Sequence, residues 1–206
     1  MKGELQESIS KSRLVVALIG LTLLIFVCNS VFGQTQKRWN IEVRPSVNIA
    51  NQKAGGAELN TGFGAEATVG YLLFENFGVY GGWSWNKFDA NRSFAGDNVQ
   101  FTESGYSLGL CFIHSFDSSN VQFLVRSGLV YSEIGLNNSE GNLINKTKPG
   151  LGWQVEAGFS FVITSNFNLV PTVRFHTLTR DLKIGDSSSP ISLKYVSLGL
   201  GGQWRF

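Results

Sequence analysis

Apolar and polar residues alternate with a period of two along most of this chain, and the closing segment shows it most clearly. From Val196 to Phe206 every second residue is apolar or glycine, and the residues between them are small or polar. Successive side chains of a β-strand point to opposite faces, so this pattern predicts a strand with one apolar face.

Seven earlier segments carry the same alternation, and no long helical period interrupts them. They are Trp39–Ile49, Gly62–Leu72, Phe77–Asn86, Gln100–Ile113, Val121–Ser132, Leu151–Val162 and Phe167–Thr179. Pro45 weakens the first prediction, because proline has no amide hydrogen to give to a neighbouring strand. Strands of this length, when tilted, are long enough to cross a bilayer, and eight of them can close an antiparallel barrel.

The connections between the predicted strands alternate between long and short. Long polar loops are predicted at 51–60, 87–98, 137–149 and 180–190, and tight turns separate the other pairs. This is the pattern of an up-and-down barrel that has turns at one rim and loops at the other. In outer-membrane barrels the turns face the periplasm and the loops face the cell exterior.

The alternation alone fits two arrangements, a secreted lipocalin-like barrel with an apolar interior and a membrane barrel with an apolar exterior. Glycines such as Gly64, Gly70, Gly199 and Gly201 crowd the polar face, which suits a narrow eight-stranded lumen. Aromatic residues of the apolar face lie toward the strand ends, as expected at two membrane–water interfaces. The predicted interface aromatics are Trp39, Tyr71, Phe77, Trp83, Trp85, Trp153, Phe161, Phe167 and Trp204. We therefore predict an all-β, eight-stranded antiparallel up-and-down transmembrane β-barrel.

The N-terminal segment has the composition of a signal peptide. Basic residues precede an apolar run, Leu14–Val27, that is short for a full membrane span, and cleavage is expected after Gly33. We predict a cleaved signal peptide at 1–33 and a barrel domain at 34–206. A lipoprotein signal at Cys28 and an uncleaved anchor are the alternatives.

Composition narrows the chemistry. The formal net charge is +2, which gives no reason to expect a nucleic-acid partner. Removal of the signal peptide leaves Cys111 alone, so no internal disulfide can form. Two histidines and one cysteine do not make a zinc site, and we expect no metal and no cofactor.

The strands, loops and terminus together resemble the small eight-stranded outer-membrane barrel family, which includes the OmpA-type transmembrane domain and the "porin family" barrels of Gram-negative bacteria. The resemblance implies a location in the cell outer membrane, surrounded by lipid and lipopolysaccharide, and export through the periplasm. It also implies that the terminal aromatics Trp204 and Phe206 help the outer-membrane assembly machinery to recognise the chain. We expect a monomer.

The polar face carries six charged residues at similar depth. They are Glu42, Arg44, Glu66, Arg126, Glu156 and Arg174. Three arginines and three glutamates would neutralise one another in a narrow lumen, where unpaired charges are costly. The primary interpretation is a structural plug. The alternative, implied by the resemblance to OmpA-type barrels, is an ion-pair gate in a narrow channel for ions or small solutes.

Other residues of the polar face are Gln154, His176, Gln203 and Arg205. Some lipid A-modifying enzymes are eight-stranded barrels that use His and Ser, but no serine is suitably spaced from His176, so we predict that the chain is not an enzyme. The predicted loops could instead bind an extracellular partner, as in an adhesin or receptor. Their candidate contact residues are Lys53, Phe88, Arg92, Phe94, Asn137, Asn138, Lys146 and Lys148.

Overall fold

The structure of the protein is a computed structural model that describes residues 37–51, 59–93, 96–116, 119–138, 140–184 and 187–206. Within 91–98 and 181–190 it describes the backbone alone. The predicted signal peptide, residues 1–33, lies outside the described residues, as do Lys53 and Phe94, and the side chain of Arg92 is not described.

The described residues form antiparallel β-strands. They are β1 (Trp39–Ala50), β2 (Gly62–Leu72), β3 (Phe77–Ser93), β4 (Gly96–Ser115), β5 (Val121–Asn137), β6 (Leu143–Lys146), β7 (Gly150–Val162), β8 (Phe167–Ile184) and β9 (Ser187–Arg205). Strand β1 pairs with both β2 and β9, and β4 pairs with β5, so the sheet closes on itself.

The short strand β6 continues the line of β7 along the same neighbour, β5. Lys146 pairs with Gly135, and Gly150 pairs with Ser132 a few residues further along β5. Between them, Thr147 and Ile134 exchange hydrogen bonds of 2.9 Å. The barrel therefore has eight positions around its circumference, which confirms the predicted eight-stranded antiparallel barrel.

Two prolines interrupt the ladders of the barrel wall. The β1–β9 register passes from Val43–Gly202 to Ser46–Gly199 across Pro45. The β7–β8 register passes from Gly158–Thr172 to Phe161–Leu169 across Pro171. Proline has no amide hydrogen to give, so each interruption opens the ladder on one side of its strand.

Alternation within each strand places polar side chains inside the barrel and apolar side chains outside. In β1, Glu42 and Arg44 are buried, whereas Ile41 and Val43 are exposed. This inverts the arrangement of a soluble barrel. It is the arrangement that a hydrocarbon environment favours, because such a medium solvates apolar groups and cannot solvate charges.

Toward one rim, the inward-facing residues become apolar and the outward-facing residues become polar. Inward and outward positions continue to alternate along each strand. Along β3, Asn86 faces inward, and so do Phe88 and Ala90, which are almost completely buried. Asp89, which faces outward between them, is exposed. The same exchange occurs in β4 at Glu103 and Phe101, and in β9 at Ser197 and Tyr195. Above this level the barrel wall has the pattern of a protein in water, so the exchange marks the membrane boundary.

The prediction of loops at 87–98 and 180–190 was wrong, because the described residues of both segments belong to strands that extend beyond this boundary. Residues 87–93 and 96–98 belong to the β3–β4 hairpin, and residues 180–184 and 187–190 belong to the β8–β9 hairpin. The predicted loop at 137–149 contains β6. The prediction that Phe88 is an exposed contact residue was wrong, because this side chain is completely buried. We call the rim with these extensions the hairpin rim and the opposite one the turn rim.

The predicted interface aromatics lie at two levels of the outer face. Near the turn rim, the ring centroids of Trp39 and Tyr71 are 4.8 Å apart, and those of Phe167 and Trp204 are 5.0 Å apart. Phe77 and Phe161 are exposed at the same rim. Toward the hairpin rim, Trp83, Trp85 and Trp153 are exposed. Their role at the membrane–water interfaces stays a prediction.

Replacing Val155 by arginine should reduce the yield of folded barrel. Val155 faces outward from the middle of β7, where a charge in hydrocarbon costs about 2–4 kcal/mol. The folded fraction can be measured by heat-modifiable electrophoretic mobility after refolding into lipid vesicles. Asp89→Arg is the control, because this outward position above the boundary should cost about 0–1 kcal/mol. Equal folded fractions for the two variants would contradict the assigned facing.

Candidate functional site: the barrel lumen

The six charged residues singled out in the sequence lie together in the lumen, and the strand registers put them there. Arg44 pairs with Glu66 between β1 and β2. Glu156 of β7 pairs with Arg126 of β5 on one side and with Arg174 of β8 on the other. With Glu42 they form a layer in which every residue is at least 96% buried. We call these six residues the charged layer.

Arg44 is the centre of the charged layer. Its guanidinium nitrogens lie 2.5 Å from a carboxylate oxygen of Glu66 and 2.5 Å from one of Glu156, and Nε lies 3.6 Å from Glu42 Oε1. Nη1 also donates to Thr172 Oγ1 at 2.8 Å. A guanidinium has five N–H donors in a fixed plane, which is why one arginine can hold several acceptors at once.

Two further arginines complete the layer. Arg126 lies 2.6 Å from Glu42 and 3.2 Å from Glu156, so these residues form a closed ring with Arg44. Arg174 extends the ring through a 2.7 Å contact with Glu66. Three positive and three negative charges cancel, which limits the electrostatic cost of burying them.

Glycines of β9 make room for the charged layer. A Cβ atom at Gly199 would lie 2.6 Å from Arg44 Cδ, and one at Gly201 would lie 2.5 Å from Glu42 Oε1. Both distances are too short for carbon to tolerate. A side chain at either position would therefore displace a member of the charged layer, which agrees with the crowded polar face predicted from the sequence.

On the turn-rim side of the charged layer, polar groups give way to a small apolar cluster. Gln203 donates to Glu42 Oε2 at 3.3 Å. Gln154, two residues from Glu156 toward the hairpin rim, donates to the Tyr80 hydroxyl at 3.2 Å. Tyr80 packs with Cys111, Leu124 and Val170 in a buried cluster. Arg205, at the rim itself, is half-buried with Nη1 3.5 Å from Gln122 Oε1.

On the hairpin-rim side, Glu103 organises a second polar group that the sequence analysis missed. Its carboxylate accepts hydrogen bonds from the Tyr195 hydroxyl at 2.7 Å and from the Ser132 hydroxyl at 3.0 Å. His176 Nε2 lies 2.9 Å from Glu103 Oε1, and neither ring nitrogen makes a well-directed hydrogen bond. The imidazole stacks on the Tyr195 ring with centroids 4.7 Å apart. Glu103, Gly105 and Ser107 are alternate residues of β4 and face the same way. This alternation could have identified Glu103 as a lumen residue.

Above Glu103 the lumen is closed by a cluster of apolar side chains, which we call the apolar cap. Its members are Phe88, Ala90, Val99, Phe101, Ile134, Leu136, Leu178, Ile191, Leu193 and Tyr195. Leu59 packs against them, from a segment that bridges to Ala90 of β3. Tyr195 belongs to both the cap and the Glu103 group, so the two are one packed unit. The cluster fills the lumen at this level with apolar side chains.

The chain terminus completes the wall. The backbones of Phe206 and Trp39 exchange two hydrogen bonds of 3.0 and 3.1 Å, which extends the β1–β9 seam to its end. The side chains of Trp204 and Phe206 are exposed on the outer face. Their recognition by the assembly machinery stays a prediction.

Within the described ranges, no group of His, Cys, Asp and Glu residues could hold a metal ion. Ser132 and His176 both contact Glu103 and do not form a hydrogen bond with each other, so they do not have the geometry of a nucleophile and its base. In the same part of the chain, no helix is long and apolar enough to cross a bilayer.

A closed barrel with an apolar exterior and a charged, paired interior is the structure of a protein that crosses a membrane with strands. The chain belongs to the outer membrane protein beta-barrel domain family, whose model matches residues 19–206. It is an outer-membrane protein.

Solved structures with the same fold include three other outer-membrane proteins. Neisserial surface protein A is 12% identical with a TM-score of 0.58, over 82% of this chain and 96% of that one. OprG from Pseudomonas aeruginosa is 13% identical with a TM-score of 0.59, over 84% and 98%. E. coli outer membrane protein W is 15% identical with a TM-score of 0.54, over 82% and 98%. At these identities the likeness shows the fold alone. A search of curated proteins found no match.

Glu66→Gln should destabilise the folded barrel strongly. It removes the carboxylate that Arg174 and Arg44 share, and a buried charge left without its partner costs about 3–5 kcal/mol. The midpoint of urea unfolding in lipid vesicles measures the effect. Glu133→Gln is the control, since Glu133 pairs with Lys146 at 3.3 Å on the surface, where a salt bridge contributes about 0–1 kcal/mol. Similar midpoints for both variants would show that the charged layer does not hold the barrel together.

Proposed function

We propose that this protein is a non-enzymatic outer-membrane barrel with a closed lumen, and that it acts through its structure and its extracellular surface. The observation that carries the proposal is the double closure of the lumen. The charged layer fills the middle of the barrel, and the apolar cap covers it toward the cell exterior. A solute would have to displace both.

The closed lumen also supports the absence of catalysis. The serine, histidine and glutamate that contact one another inside the barrel lie beneath the apolar cap and are at least 98% buried. A lipid A or other membrane substrate has no described route to these groups. The lipid A-modifying activity considered from the sequence therefore has no support in the geometry.

The extracellular surface offers a candidate contact region at β6. This strand pairs with β5 on one edge, and within the described residues its other edge has no strand partner. Leu143 and Ile144 are 60% and 51% exposed there, beyond the level at which outward residues become polar. Lys146 and Lys148 are exposed next to them. Large exposed aliphatic side chains in water are typical of contact surfaces, so we assign the adhesin-like or receptor-like role to this hairpin.

A narrow gated channel is the second candidate. The observation that favours it is the simultaneous contact of Arg44 with Glu42, Glu66 and Glu156, because an arginine with three carboxylates within reach could exchange partners. This mechanism would also require the apolar cap to move.

Single-channel recording separates the two candidates. The protein purified from outer membranes is inserted into a planar bilayer beside Glu156→Gln and the surface control Glu133→Gln. We expect no discrete conductance steps from any of the three, because the apolar cap is intact in each. Steps from the wild-type protein that change with Glu156→Gln but not with Glu133→Gln would contradict the closed-lumen proposal and support the gated channel.

A further inference from the structure

The membrane-facing wall of the barrel contains an apolar groove that the lumen-centred account does not use. It has a volume of about 480 Å³ and crosses β5, β7, β8 and β9. Ala157 and Pro171 contribute small outward-facing side chains, and the larger side chains of Phe123, Phe159, Val173 and Leu198 surround them.

The groove lies where the barrel wall is interrupted. Proline at 171 cannot donate to β7, and the β7–β8 ladder skips two residue pairs beside it. Ala157 adds only a methyl group at the same level. The missing residue pairs and the small side chains of Ala157 and Pro171 together produce a concave surface between the larger apolar side chains.

Depth within the wall identifies the leaflet. Phe123 lies at the turn-rim end of β5, Phe159 at that end of β7 and Pro171 at that end of β8, all between the turn rim and the level of the charged layer. The turn rim faces the periplasm. The groove therefore opens into the periplasmic half of the bilayer, whose lipids are phospholipids, and it is continuous with the membrane-facing surface already described.

A cation lies at headgroup level below the groove. Lys37 Nζ donates to Ser165 O and to Asn166 Oδ1, each at 2.7 Å, in the turn that leads into β8. An ammonium group has three donors, so one more hydrogen bond can go to a phosphate oxygen. The ammonium complements the negative charge of a phospholipid headgroup.

We propose that this groove binds one acyl chain of a phospholipid from the periplasmic leaflet, with the phosphate at Lys37. A flexible acyl chain is narrow enough to follow the floor formed by Ala157 and Pro171. Close packing drives such association inside a bilayer, where the hydrophobic effect is absent.

Native mass spectrometry of the protein purified from outer membranes tests the proposal, with phosphatidylglycerol and lipid A added in equal amounts. Ala157→Trp fills the groove. Ala67→Trp is the matched control, because Ala67 faces outward from β2 at the same distance from the turn rim. Lys37→Gln removes the headgroup cation, and Lys148→Gln is its control at the opposite rim. Heat-modifiable mobility verifies that each variant is folded.

We expect one retained phosphatidylglycerol on the wild-type protein and on both controls. Ala157→Trp should reduce the retained fraction roughly threefold or more, because the indole ring takes the space of the acyl chain and removes its packing contacts. Lys37→Gln should reduce it in the same direction. Equal retention by Ala157→Trp and Ala67→Trp would overturn the proposal. So would the selective loss of lipid A, which would assign the groove to the other leaflet, or the selective loss of a dimer, which would assign it to a second copy of the chain.

Discussion

The structure depends first on the absence of hydrogen-bonding partners in hydrocarbon, which obliges the sheet to close. Closing eight strands leaves a lumen just wide enough for side chains, so every inward polar group must find its partner there. Arg44 meets this requirement through three carboxylates, and the register that pairs Glu156 with both Arg126 and Arg174 supplies the remaining contacts. The charged layer and the closed wall are therefore two consequences of one constraint.

A second constraint is the finite thickness of the membrane. The strands extend beyond the bilayer, and their outer face meets water there, so the apolar side chains must turn inward. Phe88, Phe101 and Tyr195 obey the same alternation as the polar residues below them, and they form the cap because the medium outside has changed. The cap that we propose to seal the lumen thus follows from the height of the barrel. Glu103 and His176 lie where the polar part of the lumen meets the apolar cap, and both are enclosed there.

The eight-strand barrel and the members of the charged layer could be predicted because both depend on local alternation and on counting residues from the tight turns. The extensions were missed because segments with polar outward residues such as Asp89 are typical of loops. The alternation of Ile191, Leu193 and Tyr195 with Ser192 and Lys194 was a signal for a strand with its apolar face reversed. The hydrogen-bond partners of Glu103 could not be predicted, because they depend on contacts across the barrel between β4, β5 and β9.

We expect the apolar cap to seal the lumen at the level where the outer wall enters water. Nuclear magnetic resonance of the methyl-labelled barrel in lipid nanodiscs, with a water-soluble gadolinium chelate, tests this directly. We predict strong broadening of the amide signals of Lys87 and Lys194, whose side chains face outward, and none of the inward methyl groups of Leu136 and Ile191 or of the membrane-facing Leu198. Broadening of the Leu136 and Ile191 methyl groups to the extent seen at Lys194 would show that water reaches the interior, and would contradict a closed barrel.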